Sequence, residues 1–120
     1  MIYLVHQYLS ASAEKYPDAI AVVCDKDSLT YTELDAHTNR IAHELRMAGI
    51  SRNAFVPFFL SKSINAISAM FGISKADGAY IPLDADSPGS RIASIINAAD
   101  ATHVLVDDRT ADAFEEMRKA

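Results

Sequence analysis

The side chains in this 120-residue sequence that could do chemistry are four histidines, one cysteine and two acidic pairs. A metal centre needs several such groups converging on one point. His37 and His43 lie six apart within one helical pattern, which puts them on different faces, so together they are poor ligands. His6 and His103 have no second ligand nearby in the sequence, and all four histidines read as surface or supporting groups. Cys24 could in principle pair with a distant histidine as a nucleophile, but nothing in the spacing supports it. In its apolar run it reads as a buried, inert thiol of a reducing compartment. Asp84-Ala85-Asp86 lacks the remaining ligands of a calcium loop, and Asp107-Asp108 reads as a solvated turn. Ser61, Ser63 and Ser68 fit helix caps and small packing positions, and Tyr80 fits a core aromatic. Phosphate cradles are rich in glycine and hydroxyl residues because backbone N–H groups must approach the oxygens closely. Gly49, Gly72, Gly78 and Gly89 are isolated and form no such loop. No catalytic residue can be assigned, and no cofactor-binding or metal-binding residue is expected.

Composition narrows the class further. Half the residues are hydrophobic and 22% are charged, an ordinary globular balance at a length suited to one domain. The net charge of −5 opposes nucleic-acid binding, which needs a basic surface to displace counterions from phosphates. Met1 to His6 show no basic segment followed by an apolar stretch, so no signal peptide is expected. The longest apolar runs are broken by Pro57, Asn65 and Ser68, short of a membrane span. The expectation is a soluble, cytoplasmic protein without a nucleic-acid or membrane partner.

The elements that must position these residues follow from periodicity. Leu4, Val5, Tyr8 and Leu9 predict a helix over 3–15, ended by Pro17. Ala19 to Cys24 predicts a strand, Asp25-Lys26-Asp27 a turn, and Leu29 to Tyr31 the returning strand of a hairpin. Thr30-Tyr31-Thr32-Glu33 reads as a capping box for a helix with Leu34, Ile41, Leu45 and Ala48 on one face. Gly49 stands where a left-handed helix end wants glycine. Phe55 to Leu60 is a buried-strand candidate, with Pro57 better suited to an edge or bulge than to a central ladder. Ser61 or Ser63 can cap the next helix, with Ile64, Ile67, Met70 and Phe71 facing inward. Tyr80 to Leu83 is a short strand. Ser87-Pro88 starts a helix with Ile92, Ile95 and Ile96 inward and proline in its first turn. His103 to Val106 is a strand. Thr110 caps a last helix, with Asp112 in its first turn and Arg118 and Lys119 in its last. From Phe55 on, strands and helices alternate, which predicts an α/β fold with a mostly parallel sheet.

Two segments go beyond a generic α/β pattern. Leu29-Thr30-Tyr31-Thr32-Glu33-Leu34 is followed by Asn39-Arg40-Ile41-Ala42 and then by Leu45, Gly49 and Ile50. Lys75-Ala76-Asp77-Gly78-Ala79-Tyr80-Ile81-Pro82-Leu83-Asp84 is followed by Pro88 and Arg91-Ile92. In order and spacing these resemble the first and second core motifs of adenylation domains of nonribosomal peptide synthetases. Phe55-Val56-Pro57-Phe58, Lys62-Ser63 and Ala69-Met70 are similar to the fungal flavour of that family. Three positions depart from the pattern. Ser74 stands for the usual leucine, Asp77 for glycine and Ala85 for proline. If the backbone at Asp77 needs a positive φ, aspartate is among the few tolerated replacements.

The resemblance implies the first part of the large subdomain of an adenylate-forming enzyme. It would be one truncated unit, with a hairpin region over 1–33 and an α/β region over 34–120. In that family an amino-acid carboxylate attacks the α-phosphate of ATP, and the phosphate loop, ribose-binding aspartate and catalytic lysine lie downstream of these two motifs. The expectation is a truncated or split fragment that does not activate amino acids alone, with ATP and magnesium implied only for a complete domain. It would act with a protein partner carrying the rest, or self-associate. Two alternatives stand beside it. One is a remnant recruited as a small binding or scaffold protein, or as an enzyme of unrelated reaction type. The other is a generic flavodoxin-like or Rossmann-like module, which ranks last for want of a Gly-x-Gly-x-x-Gly fingerprint.

Overall fold

A computed structural model describes residues 5–60, 63–84 and 86–119. The chain begins with α1 (Val5–Lys15), then the strands β1 (Ile20–Cys24) and β2 (Asp27–Thr30), then α2 (Tyr31–Met47). After them come β3 (Phe55–Phe59), α3 (Ile64–Lys75), β4 (Ala79–Pro82), α4 (Gly89–Ala98), β5 (Leu105–Val106) and α5 (Ala111–Lys119). β1 and β2 form an antiparallel hairpin, and β4, β3 and β5 form a parallel sheet in that order.

The hairpin turn is tighter than the sequence suggests. Cys24 pairs directly with Asp27, and Asp25 takes a positive φ of 53°. Asp tolerates that conformation better than most residues, so two turn residues suffice. β2 therefore starts at Asp27 and stops at Thr30, and Tyr31 is helical rather than extended. The capping box forms as expected. The Glu33 N–H donates to the Thr30 hydroxyl at 3.2 Å, and the Thr30 N–H donates to the Glu33 carboxylate at 2.9 Å.

Alternation along β3 divides the core into two. Val56 and Phe58 pack with Ala42 and Leu45 of α2 and with Ala69 and Ile73 of α3. Phe59 packs on the other side with Leu83, Ile92 of α4 and Phe114 of α5. The sheet is thus sandwiched, with α2 and α3 on one face and α4 and α5 on the other. Val56 and Ile73 are fully buried, each contributing roughly 1.5–3 kcal/mol of hydrophobic stabilisation. Opposite helix faces follow from topology. The chain moves sideways from β3 to β4, then back across β3 to β5, and two right-handed crossovers in opposite directions must use opposite faces.

Pro57 lies in the central strand, not at an edge or bulge. The ladder explains how. The Ala54 and Phe58 carbonyls accept bonds from Ala79 and Leu83, so the even-numbered residues of β3 turn their main chain toward β4. Pro57 turns toward β5, whose pairing begins only at Phe58, so its missing N–H falls where no partner strand is paired.

Three helices end alike. After α2, the Gly49 N–H donates to the Arg46 carbonyl and the Ile50 N–H to that of Leu45. Asp77 and Gly78 repeat this on Ser74 and Ile73 after α3, and Asp100 and Ala101 on Asn97 and Ile96 after α4. Each is a Schellman motif, with positive φ at Gly49 (90°), Asp77 (64°) and Asp100 (54°). Asp77 therefore makes the left-handed turn that glycine would make. Ser74 fits as well, its hydroxyl donating to the Met70 carbonyl at 2.9 Å.

Other expectations shift. The buried face of α2 is Leu34, Thr38, Ala42 and Leu45, whereas Ala48 is an exposed cap. In α3 the fully buried positions are Ser68, Ala69, Gly72, Ile73 and Lys75, while Ile64, Ile67, Met70 and Phe71 are half-buried. Small residues take the centre because α2 presses close: a methyl group at Gly72 would lie 2.5 Å from Ile41 Cγ2. Ser63 is the N-cap, its hydroxyl accepting the Asn65 N–H at 3.2 Å, and Ser61 lies outside the described residues. Pro88 is the N-cap of α4, one position before the helix proper. β5 shortens to Leu105–Val106. Leu4, Ala85 and the side chains of Arg118 and Lys119 fall outside the described residues.

Candidate functional site

The most developed polar cluster lies where α1, α2 and the end of α3 meet. Lys75 is buried at the C-terminal end of α3. Its ammonium donates to the Asp35 carboxylate at 2.6 Å, the Asn39 side-chain carbonyl at 2.8 Å and the Asp35 main-chain carbonyl at 3.3 Å. Three acceptors match its three donors. The Ser10 hydroxyl donates to the same Asp35 oxygen at 3.2 Å, and the Arg46 guanidinium donates to the Lys75 carbonyl. Asp35 and Asn39 stand one helical turn apart, so both reach a single point. Lys75 belongs to the second motif and Asn39 to the first, so the two motifs bond to each other across the α2–α3 packing.

His6 borders this cluster. Burial lowers its pKa below the ordinary imidazole range, the Lys75 charge adds to the lowering, Asp77 opposes it, and Arg46 lowers it further. His6, Ser10, Asn39, Arg46 and Lys75 line a cleft of about 300 Å³. His37 and His103 both line another groove, of about 410 Å³, between α2, α3 and β5. Burial lowers the His37 pKa, with a smaller contribution from the Arg40 charge. The His103 ring nitrogen Nδ1 lies 2.8 Å from the Thr102 hydroxyl. His43 is exposed on α2. Among the described residues no group of three His, Cys, Asp or Glu could hold a metal ion.

Cys24 is half-buried rather than buried, because it ends a strand of the exposed hairpin. It lines a polar crevice with Asp25, Asp27, Asp107 and Asp108, and no histidine lies in that lining. Asp107 and Asp108 open a turn as expected, with Asp108 exposed and Asp107 half-buried. The Asp107 carboxylate accepts the N–H groups of Arg109 at 2.9 Å and Thr110 at 3.0 Å. Thr110 has a different job from the expected one. Its hydroxyl accepts the Asp107 N–H and donates to the Phe59 carbonyl at 2.5 Å, tying the start of α5 to the end of β3. Asp84 also makes a turn, accepting the Asp86 N–H at 2.9 Å. Tyr80 is 40% exposed, so it is an edge residue with its ring against Phe58, not a core aromatic.

Gly72 and Gly78 lie against protein, whereas Gly49 faces open space. A methyl group at Gly72 would meet Ile41, and one at Gly78 would meet Ile73 at 3.0 Å and the Ala54 carbonyl at 3.3 Å. At these two positions the missing side chain makes room for protein. Asp35 and Asp107 carry the local architecture without belonging to the motif residues. Their spacing to Asn39 and Thr110 is the signal that could find them.

Comparison with known proteins agrees with this geometry. The family model described as AMP-binding enzyme matches residues 9–120. Malpinin synthetase of Mortierella alpina is 39% identical over 111 residues, covering 92% of this chain and 1% of that protein. Gramicidin S synthase 2 of Brevibacillus brevis is 35% identical over 106 residues, 88% of this chain and 2% of its own length. The chain thus spans a very small share of these relatives. The crystal structure of the nonribosomal peptide synthetase FmoA3 bound to alpha-methyl-L-serine-AMP superposes with a TM-score of 0.90 at 37% identity, covering 94% of this chain and 13% of that one. The Klebsiella oxytoca NpsA N-terminal subdomain, at 22% identity and a TM-score of 0.81 over 89% of this chain and 28% of its own, shares the fold. Among the described residues no helix is long and apolar enough to cross a membrane. This chain belongs to the AMP-binding enzyme family, and matches part of the adenylation region of nonribosomal peptide synthetases.

Proposed function

We propose that this segment is the architectural front part of an adenylation unit for nonribosomal peptide synthesis in the cytoplasm, and that it carries no step of amino-acid activation by itself. One observation supports this above the rest. Lys75 of the second motif is spent on Asn39 of the first and on Asp35 beside it. An ammonium saturated by three protein acceptors has no donor left for a phosphate or carboxylate substrate. ATP and magnesium would be held by the remaining part of the adenylation region, supplied by a partner chain. Ser74 and Asp77, the departures that suggest a new role, sit in a regular helix end and give that alternative no support.

ATP–pyrophosphate exchange tests the proposal. The 120-residue chain alone should show none above background with any amino acid. Mixed with a separately produced protein carrying the rest of an adenylation region, it should restore exchange. Exchange by the chain alone, or no restoration by any such partner, would count against it.

A further inference from the structure

We infer that the cleft between α1 and the α2–α3 pair binds a small organic carboxylate, held by Arg46 and Asn39. This goes beyond the proposed function and does not depend on it.

Buried Lys75 sets both donors in place. Its ammonium bonds to the Asn39 side-chain carbonyl at 2.8 Å, so what Asn39 has left to offer is its NH2 group. Its main-chain carbonyl accepts one N–H of the Arg46 guanidinium. The remaining N–H groups of Arg46 and those of Asn39 have no partner among the described residues. These three residues line the cleft of about 300 Å³ together with His6, Ser10 and Ala42, and no carboxylate lies in that lining. The charges leave room for one anion. Asp35 neutralises Lys75 at 2.6 Å and also takes the Ser10 hydroxyl. Arg46 has no carboxylate partner among the described residues. His6 of α1 feels the charges of Lys75, Arg46 and Asp77, and its protonation adds a positive charge to the cleft.

A carboxylate fits these donors better than other ligands do. A guanidinium presents N–H groups that match carboxylate oxygens, and a primary amide adds another donor beside it. One negative charge answers the one uncompensated guanidinium. A phosphate dianion brings two into a chain whose net charge is already −5. A metal cation would meet N–H groups instead of lone pairs. The volume is at the lower end of ligand sites and exceeds a carboxylate group alone. Buried Ala42 in the lining gives a short apolar tail a surface to lie against. Because Lys75 already tethers Arg46 and Asn39, binding has little left to order.

An NMR titration of the isotope-labelled 120-residue chain with sodium butyrate, at constant ionic strength, tests this. The Asn39 side-chain amide and His6 ring signals should shift to saturation, with a half-point at about 10 mM or below. A bound anion favours the charged imidazole, so the His6 pKa should rise by roughly half a unit or more in saturating butyrate. His43, exposed on α2, should respond in neither way. Arg46→Gln should weaken binding at least about fivefold. Arg46→Lys should restore only part, because it returns the charge without the planar fork. Thermal melts establish that each variant folds, and if one does not, the His6 pKa of the unsubstituted chain decides. Shifts that never saturate, or that His43 shares, overturn the inference. Tighter binding of inorganic phosphate than of butyrate makes this a phosphate site and overturns the carboxylate assignment. A cleft that ignores butyrate, while Arg46→Gln costs affinity for a protein carrying the rest of an adenylation region, makes a partner's acidic side chain the occupant and also overturns it.

Discussion

The Lys75–Asp35 contact makes a prediction about which partner is costlier to remove. Lys75 Nζ is nearly inaccessible, with 6% of its side chain exposed, whereas the Asp35 side chain is 26% exposed. Asp35→Ala leaves a buried ammonium with the Asn39 carbonyl and one main-chain carbonyl, but no counter-charge. Removing one partner of a buried pair costs about 3–5 kcal/mol. Because two acceptors remain and Asp35 is partly solvated, the cost falls at or just below that range, about 2–3 kcal/mol. Lys75→Met keeps the stem's packing and removes the buried charge itself. The Asp35 carboxylate it leaves behind reaches water and retains Ser10, so the cost should be about 1 kcal/mol or less. The double substitution should resemble Lys75→Met. Urea unfolding of the four proteins measures all terms, and Asp35→Ala should lower the melting temperature by something on the order of 10 °C. If Lys75→Met proves more destabilising than Asp35→Ala, the burial-based reasoning is wrong.

Further outcomes can be checked by the same unfolding measurements. Gly72→Ala places a methyl 2.5 Å from Ile41 Cγ2 and 2.7 Å from its Cβ, so the helices must shift, at a cost of about 1–3 kcal/mol; adding Ile41→Ala should return part of that loss. Asp77→Gly relieves a non-glycine φ of 64° and removes an acid from a helix C-terminus, and should stabilise by up to about 1 kcal/mol, whereas Asp77→Ala should destabilise. His6 and His37 have folded-state pKa values below the ordinary value of about 6.5. The unfolded chain therefore binds protons first as the pH falls, so stability is full above about 6.5 and declines below it. His6→Gln with His37→Gln should flatten that decline, and an unchanged slope from pH 7 to 5 would rule these histidines out as its source.

Much of the architecture was legible because it is local. The capping box at Thr30–Glu33 and the Gly49 helix end depend on neighbours a few residues apart, and both form as the sequence predicts. Alternation from Phe55 onward identified the parallel sheet for a similar reason, since each strand and helix carries its own period. Motif spacing alone pointed to the family. Three things needed the tertiary structure. Pro57 occupies the central strand because β5 starts pairing one residue later, a fact of strand order rather than of proline. The buried face of α3 includes its small residues because α2 approaches within contact of Gly72, a distance no single helix encodes. Lys75, Asp35 and Asn39 converge from positions up to 40 residues apart, and only the packing of α3 on α2 turns separate motif letters into one saturated ionic clamp.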